Sequence, residues 1–293
     1  MDTRMSTQSI RSQPMMVAIL LFGAVLWGTS WWPLKHFGAQ GLSGALMVVA
    51  SYGVVGLFAL PTLWLQRHRW RSQTGLLVLI ALLGGWSNIA FVTALMSGNV
   101  VRVMLLFYLA PVWGVLGGRL FLHEHITPRR WFAVGLSMAG AFVLLGGVAA
   151  FTTPLDLVDV LALSAGLAFA LNNVTTRAAQ CIPIASKVFV VFLGCAILAS
   201  IVALLQGSHF PSLAGGTWGL ILVFAFTWLV LATLAIQYSV THMEAGKASI
   251  LLIFELIAAV VSAVLIGGEA ISQHEWLGGA LIASAALIEA SSQ

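Results

Sequence analysis

The sequence predicts an all-α membrane protein: ten transmembrane helices forming two inverted five-helix repeats around a central cavity. Three observations carry this. The 293 residues are 60% hydrophobic and only 8% charged, with a mean hydropathy of +1.02, whereas a soluble domain carries roughly a quarter charged residues. Apolar runs of about twenty residues, the length that crosses a bilayer, recur along the chain between Gly, Pro and charge. A stretch late in the first half also returns about 145 residues later without a gap: Arg102, Leu106, Glu124, Ile126, Trp131 and Leu136 fall opposite Lys247, Leu251, Glu269, Ile271, Trp276 and Leu281. Identity over the forty or so aligned residues is about one in five. The matches include rare charges and a Trp, the signature of an internal repeat.

In chain order, residues 1–14 form a polar tail, too weakly organised for a signal peptide and with no small-residue cleavage site after the first apolar run. That run reads as a retained span at 15–34. Spans at 43–65, 74–96, 101–122 and 129–147 complete a first repeat over residues 15–147. Residues 148–156 are a periplasmic connection. The second repeat, 157–293, holds spans at 157–179, 186–206, 215–239, 246–267 and 275–291. Pro128 suits a first helical turn, Pro154 and Pro211 sit in connections, and Pro183 separates spans six and seven. Pro111 falls inside span four, where it removes a backbone bond and bends the helix, as a hinge or as a static kink. Cys181 reads as a loop residue and Cys195 as mid-helix, so no disulfide is expected.

Lys and Arg set the orientation. With the N-terminus inside, the cytoplasmic side receives Arg4, Arg11, Arg67, Arg69, Arg71, Arg119, Arg129, Arg130, Arg177, Lys187 and Lys247, and the outside only Lys35 and Arg102. Eleven against two satisfies the positive-inside rule and places both termini in the cytoplasm. Trp31, Trp32, Trp64, Trp131, Trp218 and Trp276 fall near span ends, as an interfacial belt. The basic residues form no single patch, so nucleic acid is not an expected partner. Five spans per repeat invert the second copy, an arrangement of secondary transporters.

The "WGTSWWP" of Trp27 to Pro33 resembles the first-helix signature of the drug/metabolite transporter superfamily. So does the segment from Ala110 to Leu145, where a Pro-containing helix ends in a short apolar run, a Glu and a step into the next helix. The pattern returns from Leu256 to Ile282. Within the superfamily the chain is similar to the ten-helix EamA-type group, and to the bacterial aromatic amino acid exporters in it. The resemblance implies an inner-membrane transporter without a cofactor, whose spans one, three, four, six, eight and nine surround the cavity. The second copy usually carries a proline where Leu256 stands, so the resemblance does not imply that spans four and nine bend alike.

Several residues are candidates for the substrate path. Glu255 sits near the middle of span nine, where an ionised carboxylate costs at least about 2.5 kcal/mol and must face the interior or stay protonated. It is either a contact for a substrate ammonium, a proton site, or a protonated acid that holds the fold. Asn88, Asn172 and Asn173 can donate and accept, which suits a zwitterion, and can equally bond across helices. Asn172 matches Trp27 by the repeat offset. Trp27, Trp86, Trp113 and Trp228 lie away from the belt and would stack an apolar side chain, or pack as bulk. Trp27 and Trp31 lie one turn apart on the face of Ser30. Tyr108 and Tyr238 add hydroxyls. Gly114 and Gly118 suggest close helix packing, and Glu124 and Glu269 suggest caps of a neighbouring helix start or partners of a base.

Enzyme readings fare poorly. "GLSG" at Gly41 to Gly44 resembles an intramembrane protease motif, but the mechanism needs a His within reach of Ser43, and the seven histidines sit in connections or at span ends. His123 and His125 lack the i, i+4 spacing of a zinc site. No phosphate loop occurs. The expected task is export of amino acids, aromatic or large neutral, by alternating access, with protons as a possible co-substrate and a monomer as the expected state. The alternative is a multidrug or other small-metabolite exporter; an intramembrane serine hydrolase is the distant one.

Overall fold

The structure is a computed structural model describing residues 3–97, 100–148, 154, 156–267 and 272–291, and among them it contains helices and no strand. The helices are α1 (Thr3–Gly28), α2 (Trp31–Gly38), α3 (Gly44–Leu65), the short α4 (Arg67–Trp70), α5 (Thr74–Ser97), α6 (Val100–Phe107), α7 (Ala110–Leu122) and α8 (Pro128–Leu144). They continue as α9 (Leu157–Ala178), α10 (Ile184–Leu205), α11 (Gly215–Val223), α12 (Val230–His242), α13 (Ala245–Leu252), α14 (Phe254–Gly267) and α15 (Gln273–Ala290). Among the described residues, seven helical segments are long and apolar enough to cross a membrane; Ala110–Leu122 and Trp276–Ala290 are shorter apolar helices. Phe58, Leu120, Leu204 and Leu265 stand exposed on the outer surface, as they do where lipid replaces water.

The helix starts follow from local chemistry. The Ser43 hydroxyl accepts from Leu46 N at the start of α3. Thr127 accepts from Arg130 N, with Pro128 in the first turn of α8. Asp156 and Asp159 form a reciprocal capping box on α9, at 2.8 and 3.0 Å. Ser43 is thus a helix cap, the bland explanation of its motif.

Four spans are interrupted. Span one breaks at Thr29 and Ser30, so Trp31 begins a separate helix and does not continue the face of Trp27. Span eight passes through a π turn at Phe224–Leu229 between α11 and α12. Span four breaks at Tyr108 and Leu109, placing Pro111 in the first turn of α7 and not within a bent helix. Lacking an N–H, Pro111 leaves the Phe107 carbonyl without its helical donor. Span nine breaks at Ile253, which is Tyr108 advanced by the repeat offset. Leu256 stands there in place of proline, and the break is made instead by i→i+3 bonds, Ile253 N to Ile250 O and Leu256 N to Ile253 O.

The breaks of spans four and nine are each approached by a glycine. A β-carbon on Gly28 of α1 would collide with the Glu255 carbonyl oxygen, and one on Gly166 of α9 with that of Phe107. Phe107, Tyr108, Ile253 and Leu256 share one buried cluster, so the two breaks pack against each other.

One end of the bundle gathers the basic residues. Arg130 Nε donates to Glu289 Oε1 at 3.0 Å, its Nη1 donates to the His125 carbonyl, and it pairs with Glu244. Lys187, fully buried, donates to the Thr176 carbonyl and to Thr241 Oγ1, while Arg177 donates to the Thr241 carbonyl. These cations therefore face the carboxyl-terminal ends of α9 and α12, where helix dipoles favour them. Glu124 accepts from Ala245 N at 2.8 Å and Gly246 N at 3.2 Å, capping α13. Burial raises its carboxyl above the usual 4.5, and the two backbone bonds draw it partly back. The α6–α7 span ends at this pole and the α13–α14 span begins there, so the matched spans run in opposite directions. Glu269, the repeat mate of Glu124, lies outside the described residues.

Candidate functional site

A cavity of about 100 Å³ lies among the middles of the spans. Spans one, three, four, six, eight and nine reach it, through Trp27, Asn88, Phe107, Asn172, Gln237 and Glu255 among others. Spans two and seven contribute as well, through Tyr52 and Val191, beyond the set that the resemblance implies.

One part of the wall is aromatic. Phe91 and Phe107 lie with ring centroids 4.4 Å apart, and Phe169 is 5.6 Å from Phe107. Trp27 is a further aromatic wall residue. Offset and tilted rings of this kind accept another flat or apolar group by adding to the stack.

The polar part divides into committed and uncommitted groups. Asn88 is committed: its Oδ1 accepts from the Tyr52 hydroxyl at 3.2 Å and its Nδ2 donates to the Gly84 carbonyl at 2.9 Å. Asn172 Oδ1, Asn173 Nδ2 and Gln237 Oε1 are buried without a hydrogen-bond partner among the described residues. Each such atom costs about 1–3 kcal/mol unless something fills its hydrogen-bonding capacity. Two acceptors and one donor therefore face a space that a ligand can complete. Glu255 adds a carboxylate in the first turn of α14. Gly84 leaves room for Asn172, since a β-carbon there would stand 3.5 Å from Asn172 Oδ1 and 3.1 Å from Val191.

Of the sequence candidates, Glu255, Asn88, Asn172, Asn173 and Trp27 line the cavity. Tyr108 is outside the lining, buried in one cluster with Phe107, Ile253 and Leu256. The other candidates lie elsewhere. Trp86 is 43% exposed and its Nε1 donates to Ser164, so it bridges α5 to α9 from the outside. Trp228 donates to the Leu26 carbonyl at 2.6 Å and ties the π turn to α1. Trp113 sits on α7 away from the lining, and Tyr238 stacks on His242 one turn along α12. Gln237, Thr233, Tyr52 and Ser87 line the cavity without having been singled out. The spacing of Thr233 and Gln237, one helical turn apart in an apolar span, is the signal that points to them.

The sequence profile of the EamA-like transporter family matches residues 14–146 and again residues 156–289, one match per repeat. An uncharacterized transporter of Vibrio cholerae serotype O1 is 29% identical over 138 residues, covering 44% of this chain and 45% of that protein. A riboflavin transporter of Rhizobium johnstonii is 32% identical over 102 residues, 32% of each chain. The chain thus spans less than half the length of either relative. A solved crystal structure, at 17% identity, covers 94% of this chain and 97% of its own with a TM-score of 0.74, which shows a shared fold. With the profile repeated across nearly the whole length, the chain belongs to the EamA-like transporter family.

Proposed function

We propose that this family member exports amino acids, aromatic or large neutral, from the bacterial cytoplasm by alternating access, with its basic end facing the cytoplasm. The observation that carries the reading is the cavity wall. A carboxylate and two unpartnered amide oxygens are complementary to the three donors of an ammonium group, and the Asn173 amide N–H to a carboxylate. The rings of Phe91, Phe107 and Phe169 suit an aromatic side chain. The two repeats rock about this fixed site so that it opens to one side at a time. Glu255 neutralises the ammonium, and a proton can replace it on the return step.

A second reading is export of another small metabolite, favoured by the relative named as a riboflavin transporter. An uncharged heteroaromatic would use the same rings and amides but would not need Glu255. Counterflow of labelled Trp, Phe and Thr, a cationic dye and riboflavin in proteoliposomes, with and without a pH gradient, separates the readings. Flux of Trp and Phe that Glu255→Gln lowers at least tenfold supports the first. Riboflavin flux that survives this substitution, without amino acid flux, supports the second.

A further inference from the structure

We propose that Lys187 and Arg177 form a latch between the basic end and the cavity, which the carboxylate of an entering substrate opens. This rests on the reading of the cavity as an amino acid site, and it makes the two cations specificity-determining residues.

A buried polar seam leads from the cavity to these cations. On α12, Thr233 and Gln237 line the cavity, and Thr241 follows one turn later on the same face, all three buried. On α9, Asn172 and Asn173 line the cavity, and Thr176 and Arg177 follow one turn later. Among the described residues the Thr176 hydroxyl is buried without a hydrogen-bond partner, like the amide atoms of Asn172, Asn173 and Gln237. Such groups are costly in a closed apolar interior and are satisfied when water or a solute passes between them. α9 packs mainly on α5 and α7, and α12 mainly on α1. The seam therefore divides two packed groups of helices.

The two cations stitch the seam at the basic end. Lys187 Nζ donates to the Thr176 carbonyl of α9 at 2.9 Å and to Thr241 Oγ1 of α12 at 3.0 Å. Arg177, itself on α9, donates from Nη1 to the Thr241 carbonyl at 2.8 Å. Lys187 is fully buried, and among the described residues neither cation has a carboxylate partner. A buried ammonium ordinarily has an anion beside it; here its acceptors are neutral oxygens. A carboxylate arriving at this end offers an opposite charge that those oxygens lack, so it draws the cations away from them. Released from Thr241, α9 and α12 separate and the seam opens toward the cavity. A ligand shifts an equilibrium only through differential interaction with its states, and this ion pair forms only in the open one. An amine without a carboxylate meets two like charges instead.

The test uses the full chain in inside-out vesicles, with Cys181→Ser and Cys195→Ala to remove the native thiols and Thr176→Cys to report on the seam. A membrane-impermeant methanethiosulfonate reads how often the seam opens. Phenylalanine should speed labelling roughly tenfold. Phenylalaninol, with the same ring and ammonium but a hydroxymethyl in place of the carboxylate, should leave it at the ligand-free rate. Lys187→Met in the same background should label faster than its parent without ligand and respond alike to both compounds. In counterflow, Lys187→Met should narrow the preference for phenylalanine over phenylalaninol, a change of selectivity that a lysine holding only the fold would not produce.

Equal acceleration by the two ligands overturns the proposal, and so does ligand-free labelling of Lys187→Met at the parent rate. If that variant does not fold, Arg177→Gln, at a half-buried position, takes its place with the same outcomes. If phenylalanine neither binds nor exchanges, the amino acid reading fails by itself. The latch is then judged with 3-phenylpropionate, whose carboxylate should still speed labelling of the parent; no effect overturns it.

Discussion

At Gly28 a β-carbon would stand 2.7 Å from Ala258 Cβ and 2.9 Å from Ala259 N, besides meeting the Glu255 carbonyl. Backbone atoms cannot turn aside as a flexible side chain can, so α1 would have to retreat from α14. Gly28→Ala should lower stability by about 1–3 kcal/mol, the cost of overpacking a filled interior, seen as a lower melting temperature in detergent. Gly84→Ala meets the softer obstacle of Val191 and the Asn172 amide. It should leave the melting temperature nearly unchanged and raise KM for the larger substrates. Glu124 presents a case in pH. Its carboxyl is raised in the folded protein, mainly by burial, so the folded state binds a proton more readily than the unfolded chain. The corresponding stability is fully present below 4.5, the ordinary value, and is lost as pH rises through the folded value. Thermal stability should fall across that window in the parent protein, and Glu124→Gln should flatten the dependence.

Among the elements, the α7–α8 turn joins the repeats at the basic end. It brings Glu124 to the first amides of α13 and Arg130 to Glu244 and Glu289. Glu289 is fully buried and Arg130 nearly so. Removing one member of such a group strands a charge away from water, which costs about 3–5 kcal/mol. Arg130→Gln should therefore destabilise the protein by that amount, measured by denaturation in mild detergent. The paired helix breaks show where sequence reading runs short. The break in span four was legible because Pro111 removes a donor. Its counterpart in span nine was not, because Leu256 and its neighbours are ordinary helix formers and the interruption is made by i→i+3 backbone bonds that no residue type announces.

For the whole molecule, the repeat and the charge asymmetry were readable because both use residues that are rare in an apolar chain, such as Arg102, Lys247 and Trp131. The cavity was only partly readable. Glu255 and Asn172 stand out by polarity, but Trp86, Trp113 and Trp228 could not be assigned a direction. Helices that are apolar all round carry no periodic stripe to say which face turns inward. The orientation inferred from charge is open to direct test. Cys181 is exposed on the turn between α9 and α10, while Cys195 is buried. A membrane-impermeant maleimide should label Cys181 in inside-out vesicles and not in intact cells.

The π turn at Phe224–Leu229 has a consequence for phase. A π turn accommodates one residue more than an α-helical path of the same length, so everything after it is rotated by about 100°. Thr233 and Gln237 follow it and owe their inward direction to that rotation. Deleting a single residue within the turn would let α11 and α12 fuse into one regular helix. The Thr233 and Gln237 side chains would swing away from the cavity that Glu255 also lines. Such a deletion should yield a folded protein that reaches the membrane and has lost its substrate, a change of recognition made by rotation alone.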